Sequence, residues 1–328
     1  MKIKKTHVYA LLALIIISIA AFYYFYFRAH SPNNAPQAPG EKEKDKILWL
    51  VDEDGYLYYP SQRGEIKFRR DNYSRTNTTT VSKVIFQSKD TNIYGLLVLP
   101  VNFTHLLPGV VLLPGAGVSK ESELRLAEKI SGLGAAVLTI DQRGVGETGG
   151  IFPPIEADFQ IFIKGEEPYQ HKVVYDALRA YDLLKSAPFV DNERIIIAGE
   201  SFGGRIATIA ASIERGIKGV LIISSSGFDY KPKGDKQKDA FLESIDSDHY
   251  IDTITPRRLV IMQNARDKVI ALNTAVNSYS KAAEPKRFVL VNDTTCNHGY
   301  CDSMYNGLAS GLKFLFNVPR ISSEIETK

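Results

Sequence analysis

The chain lacks most of the features that mark specialised protein classes. Its 328 residues include only two cysteines, so it is no disulfide-dense scaffold. It has no internal repeat. It has no large surplus of charge, with a formal net charge of +3. Even that surplus sits at the start: residues 1–46 hold seven basic and three acidic side chains, which leaves the remainder at −1. A body so close to neutral offers nothing to a phosphate backbone, so nucleic acid is not an expected partner. What is present is ordinary for a globular protein, with 44% hydrophobic and 23% charged residues. That excludes a disordered or collagen-like chain. The length suffices for one large domain whose core needs no staples.

A long charge-free run occurs at the start, from Val8 to Phe27. At about 1.5 Å per helical residue it spans about 30 Å, the thickness of a bilayer core. Lys2, Lys4 and Lys5 precede it and only Arg28 follows directly. The positive-inside rule then makes residues 1–7 a cytoplasmic tail, residues 8–27 a membrane anchor, and places the rest outside the membrane. Ser18-Ile19-Ala20 offers a rival reading as the cleavage site of a signal peptide. The apolar run continues past Ala20, which favours the uncleaved anchor, and both readings export the body. Residues 28–46 contain Pro32, Pro36, Pro39 and Gly40 and then alternating charges, the composition of a flexible linker. Residues 47–328 remain as the folded domain.

Within that domain strand and helix patterns alternate. Apolar runs flank Asp54-Gly55, a hairpin signal, and two further strands are expected at 81–86 and 94–99. From residue 109 onward the pattern changes. Strands are expected at 109–113, 135–140, 194–198, 219–224, 259–262 and 288–291, with helices at 121–131, 171–185, 202–214 and 305–316. Continuous apolar strands separated by helices imply a mostly parallel sheet covered on both faces, with the leading strands as its antiparallel edge. Residues 151–170 and 227–252 break the alternation. They are candidates for small lid insertions over the carboxyl ends of the strands, where ligands bind in such sheets.

The chemistry gathers at those strand ends. Gly199-Glu200-Ser201-Phe202-Gly203 directly follows one strand and directly precedes a helix. This is the setting that the G-x-S-x-G nucleophile elbow requires, so Ser201 is the candidate nucleophile. A serine needs a base, and in the elbow arrangement the order is nucleophile, acid, histidine. Only His249 and His298 follow Ser201. His298 lies in a loop between the last strand and the last helix and is the better base; His249 reads as a solvated loop residue. The acid should leave a strand between nucleophile and base. Asp267 does so, with Asp293 the runner-up. The oxyanion donors are expected to be the backbone amides of Phe202, after the nucleophile, and of Ala116, in the turn Leu113-Pro114-Gly115-Ala116-Gly117.

On these residues the chain resembles an α/β-hydrolase, and within that superfamily it is similar to the dienelactone hydrolase-like and prolyl oligopeptidase-like branch. The resemblance runs from about Val81 to Val318. It rests on the 113–117 turn, Asp-Gln-Arg-Gly-Val-Gly-Glu-Thr-Gly at 141–149, the elbow, the stretch leading to Asp267, and His298. The 141–149 stretch resembles a family loop that shapes the rim of the site. Two departures stand out. Pro114-Gly115 replaces a frequent His-Gly at the oxyanion turn, and Gln263-Asn264-Ala265 replaces a similar turn ahead of the acid. The resemblance implies hydrolysis of a small-molecule carboxylic ester through an acyl-enzyme on Ser201, without a cofactor or metal. Hydrolysis of short peptides and a non-catalytic binding role on the same fold are the alternatives.

Cys296 and Cys301 flank His298. In an exported protein they are placed to close the histidine loop with a disulfide. Two free thiols, or a metal held by Cys296, His298 and Cys301, are the other readings, but the spacing matches no closed zinc pattern.

Overall fold

The computed structural model of the protein describes residues 49–316. The tail, the Val8 to Phe27 anchor and the linker expected from the sequence lie outside these residues. Among the described residues no helix is long and apolar enough to cross a membrane.

The chain opens with a hairpin, β1 (Leu50–Val51) and β2 (Leu57–Tyr58), that turns at Asp54-Gly55 and forms a two-stranded sheet of its own. The other nine strands form one sheet. They are β3 (Phe68–Arg75), β4 (Thr79–Ser88), β5 (Thr91–Pro100), β6 (Leu107–Leu113), β7 (Ala136–Ile140), β8 (Val190–Glu200), β9 (Gly219–Ile223), β10 (Arg258–Asn264) and β11 (Lys286–Val291). Their spatial order is β11-β10-β9-β8-β6-β7-β5-β4-β3. The six strands from β6 to β11 are mutually parallel, and β5, β4 and β3 follow antiparallel at one side. The helices are α1 (Leu124–Gly132), α2 (Ile155–Ile163), α3 (Tyr169–Ser186), α4 (Phe202–Ile213), α5 (Lys236–Ser244), α6 (Leu272–Lys281) and α7 (Tyr305–Leu315).

The core follows from the strand sequences. Every residue of β6 is buried, because successive side chains point to opposite faces and both faces are covered. Val111 and Leu113 pack with Leu178 and Tyr181 of α3 and Ile206 of α4. Val110 and Leu112 pack with Ile130 of α1 and Leu308 of α7. Each fully buried aliphatic side chain of this kind contributes about 1.5–3 kcal/mol relative to exposure.

The structure corrects two expectations and adds two elements. The leading hairpin does not join the main sheet. Instead Tyr250, fully buried, accepts a hydrogen bond from Leu57 N–H (2.8 Å) and donates to Ser244 O (3.1 Å), which fastens the hairpin to the second insertion. The outermost strand β3 carries no apolar alternation because it is exposed at every position. Helix α6 escapes sequence reading because it buries only Ala275 and Ser278 of its ten residues. His249 is no solvated loop residue: it is half-buried with its ring 4.1 Å from that of Tyr56.

The two insertions contain α2 and α5, and these pack on each other. Phe159 and Phe162 stand 5.6 and 5.5 Å from the Phe241 ring. The loops after β6, β7, β8, β9, β10 and β11 all emerge at the same edge of the sheet, because those strands are parallel.

Candidate active site

Ser201 sits in the turn between β8 and α4 with φ 50° and ψ −118°. Few side chains adopt such a conformation, and it costs about 1–3 kcal/mol. The neighbouring glycines make it reachable. A Cβ on Gly199 would strike the Gly203 backbone, and one on Gly203 would strike the backbone of Leu113 and Pro114. The elbow therefore packs directly on the 113–117 turn. A Cβ on Gly115 would stand 3.5 Å from Ser201 Cβ, so this turn borders the hydroxyl, and Ala116 within it is exposed. On the other side Ser201 N–H donates to Ile223 O (2.9 Å) and Ser225 Oγ donates to Ser201 O (2.5 Å). Phe202 opens α4, where backbone amides have no partner within the helix and its dipole favours negative charge.

Asp267 and His298 meet. His298 Nδ1 lies 3.0 Å from both carboxylate oxygens of Asp267, whose side chain is fully buried. Burial pushes the Asp267 carboxyl up. The Ile270 N–H, the His298 ring and the Val269 N–H outweigh that and hold it below the ordinary carboxylate range. Asp267 is therefore an acceptor at neutral pH, and His298 Nδ1 must be the donor. That leaves Nε2 of the neutral ring with a free lone pair. The Ser201 hydroxyl does not hydrogen-bond His298 in this structure; such contacts tighten when substrate binds.

One residue that sequence reading passed over holds this pair. Asn264, fully buried at the end of β10, donates from Nδ2 to Asp293 O (2.9 Å) and Cys296 O (2.7 Å). Its Oδ1 accepts from Asp293 N–H (3.0 Å). Lys268 N–H adds a bond to Asn297 O (2.8 Å). The acid loop and the histidine loop are thus stitched together by a side chain in the departure noted at 263–265. Glu200 joins that assembly to the elbow: its Oε1 accepts from Tyr300 N–H (2.7 Å). Cys296 and Cys301 are disulfide-bonded around His298, so neither is available as a metal ligand. Asp293 is turned to its own loop, accepting from Thr295 N–H and Oγ1 (2.8 and 2.7 Å).

The 141–149 loop, expected at the rim, packs beside the 113–117 turn. Asp141 accepts from the Lys120 N–H and Nζ (both 2.8 Å), and Lys120 is itself fully buried. Arg143 binds Asp176 of α3 through two bonds (2.6 and 3.0 Å), and Gln142 Nε2 donates to Pro114 O (2.7 Å). The loop is thereby tied to the 113–117 turn. Phe152, half-exposed, stacks edge-on against Phe202 with ring centroids 5.3 Å apart and supplies an apolar wall beside the elbow.

The profile of the acetyl xylan esterase (AXE1) family matches residues 62–264. The chain belongs to that family. The match contains the elbow and ends just before the acid loop. Two curated relatives are both uncharacterized proteins named YfhR. That of Escherichia coli O157:H7 is 26% identical over 190 residues, 54% of this chain and 61% of its own length. That of Escherichia coli strain K12 is 26% identical over 163 residues, 48% of this chain and 51% of its own. The chain thus spans between half and two thirds of these relatives. Among solved structures it is similar to an acetyl xylan esterase from Paenibacillus sp. R4, with a TM-score of 0.64 and 20% identity over 78% of this chain and 90% of that one. It is also similar to a glucuronoyl esterase from Solibacter usitatus, with a TM-score of 0.58 and 13% identity over 81% and 88%. At such identities the likeness is one of fold, and the fold is that of the α/β-hydrolases.

This AXE1-family chain also carries a buried acid pair behind the elbow. Glu123, at the start of α1, and Glu200 line a cavity of about 230 Å³ together with Tyr300. Glu123 Oε1 is sealed and has no hydrogen-bond partner. Burial, and then the Glu200 charge, push the Glu123 carboxyl far above its ordinary 4.5; burial also raises Glu200. The folded state then holds a proton on Glu123 that the unfolded chain releases as pH passes 4.5. This contribution to stability is complete below that pH and is lost progressively as pH rises into the alkaline range. Glu123→Gln removes the titration. Its melting temperature relative to the parent protein is expected to climb steadily from pH 5 to pH 9 in calorimetric scans. A constant difference across that range would mean that the pair does not hold the proton.

Proposed function

We propose that the protein is a serine carboxylesterase acting on small acetyl esters through an acyl-enzyme on Ser201. The observation that carries this reading is the Asp267–His298 contact, on a histidine loop bonded to Glu200 immediately before the serine. In this mechanism Ser201 Oγ attacks the ester carbonyl while His298 Nε2 takes its proton. The Phe202 and Ala116 amides hold the oxyanion. His298 then gives the proton to the departing alkoxide, and the acyl group stays on Ser201. Water attacks that ester, passing its proton to His298, which returns it to Ser201. No metal or cofactor enters any step. The family's name supports acetyl as the acyl group.

The test is covalent labelling of the full-length protein by a fluorophosphonate, beside turnover of acetyl esters and of short peptides. Labelling together with ester turnover supports the proposal, and turnover of peptides alone would replace it with the peptidase reading. A folded protein that neither labels nor turns over is a binding protein on a hydrolase fold.

The same proposal places the domain outside the membrane, held by the Val8 to Phe27 segment and the linker that follows. Its support is the charge-free run behind Lys2, Lys4 and Lys5. The full chain is expected in the membrane fraction, released by detergent but not by high salt. Release by salt alone would rule the anchor out.

A further inference from the structure

Arg205 lies one turn into α4, with its N–H bonded to Ser201 O (3.3 Å). Other buried arginines of this domain are satisfied. Arg63 and Arg143 bind carboxylates, Arg179 binds Asp182 and three backbone carbonyls, and Arg257 binds the Ala211 and Ile217 carbonyls. Among the described residues Arg205 has no ion pair. Of its five N–H donors the protein uses one, Nη2, at 3.5 Å from Gln170 Oε1. Nε is sealed from water without a partner, and among the described residues Nη1 has no hydrogen-bond partner either. The Asp246 charge favours the guanidinium, but its two oxygens accept from Phe228 and Tyr230 N–H (2.8 and 2.9 Å). Desolvation accordingly pulls the guanidinium down to about 10. A cation in the first turn of a helix also opposes the helix dipole. The Asp246 charge and two aromatic rings offset only part of these costs.

The surroundings resemble a half-built recognition site. The guanidinium stands 4.9 Å from the Phe202 ring and 4.3 Å from the Phe228 ring. Phe202 follows the nucleophile. Phe228 is three residues beyond Ser225, which bonds Ser201, and its backbone is pinned by Asp246. Phe228 is 47% exposed and Phe152, against Phe202, is 40% exposed, so aromatic faces are open beside the cation.

We propose that Arg205, held between Phe202 and Phe228 with donors left unused, binds a carboxylate on the alcohol part of the ester. This rests on the serine esterase reading above, in which the acyl part is acetyl and has no room for a charge. An arginine fork offers such a carboxylate two parallel hydrogen bonds, and the flanking rings shield them from water.

The probes are 4-acetoxybenzoate and its neutral counterpart, methyl 4-acetoxybenzoate, with the full-length protein. Hydrogen bonds to a charged partner are expected to raise kcat/KM for the acid over the methyl ester by about tenfold or more. Arg205→Met should erase that ratio, and Arg205→Lys should keep part of it. If Arg205→Met fails to fold, product inhibition of the parent protein decides: 4-hydroxybenzoate must inhibit more strongly than methyl 4-hydroxybenzoate. Equal turnover of the two esters, or preference for the methyl ester, by a protein that labels at Ser201 overturns the carboxylate site and leaves the esterase reading intact. Absence of both labelling and turnover overturns the esterase reading, and this proposal with it.

Discussion

Ser201→Ala is expected to eliminate fluorophosphonate labelling and to lower kcat on acetyl esters by about 10⁴- to 10⁶-fold, the range seen when the nucleophile of a serine–histidine–acid site is removed. The fold should survive. The hydrogen bonds at this position run through the Ser201 backbone, to Ile223 O and from Ser225 Oγ, and alanine keeps both. Alanine also inherits the same φ of 50°, so stability should change by no more than about 0.5 kcal/mol. Ser201→Gly separates strain from chemistry. It should be equally inactive yet more stable than the parent, because glycine accepts positive φ without the penalty of a Cβ. Intact-protein mass spectrometry after labelling, with thermal melts of all three proteins, reads both effects. Retained turnover in the alanine variant would end the acyl-enzyme reading.

How far the sequence reaches depends on which physical signal each element carries. The parallel strands were legible because β6, β7 and β9 are buried on both faces and so are apolar throughout. The elbow was legible because only glycine fits at 199 and 203, where any Cβ meets backbone. Strand β3 and helix α6 were not, since neither buries an apolar stripe. The order of Ser201, Asp267 and His298 along the chain could be read because these residues follow the ends of three parallel strands, β8, β10 and β11. Asn264 could not. Its importance lies in accepting and donating across a loop that begins 29 residues later, and no local pattern reports such a contact. Arg205 was hidden for the same reason. In sequence it is one more arginine, and only the count of its unused donors singles it out.

Asp267→Asn is expected to cost about 10⁴-fold in kcat, by imposing the wrong histidine tautomer. The geometry decides which way the amide must face. Both backbone donors, Val269 N–H and Ile270 N–H, bond to the same oxygen, Oδ1, at 2.8 Å. An asparagine must keep its carbonyl oxygen there, or it would set an amide N–H₂ against two N–H groups. Its nitrogen then occupies the Oδ2 position, 3.0 Å from His298 Nδ1. An amide N–H at that position favours the tautomer in which His298 accepts at Nδ1 and carries its proton on Nε2, in competition with donation from Nδ1 to the retained carbonyl oxygen, also 3.0 Å away. In that tautomer Nε2 can no longer take the proton of Ser201. Asp267→Ala leaves the ring free to choose its tautomer and should therefore retain more activity than the asparagine variant, although it leaves the Val269 and Ile270 N–H groups without their Oδ1 acceptor. Asp293→Asn, in contrast, should leave kcat within about twofold, because the Asp293 carboxylate is turned to Thr295 and does not touch His298. Steady-state turnover of an acetyl ester by the three variants orders them. An Asp267→Asn protein within about tenfold of the parent would show that the Asp267–His298 contact does not set the tautomer.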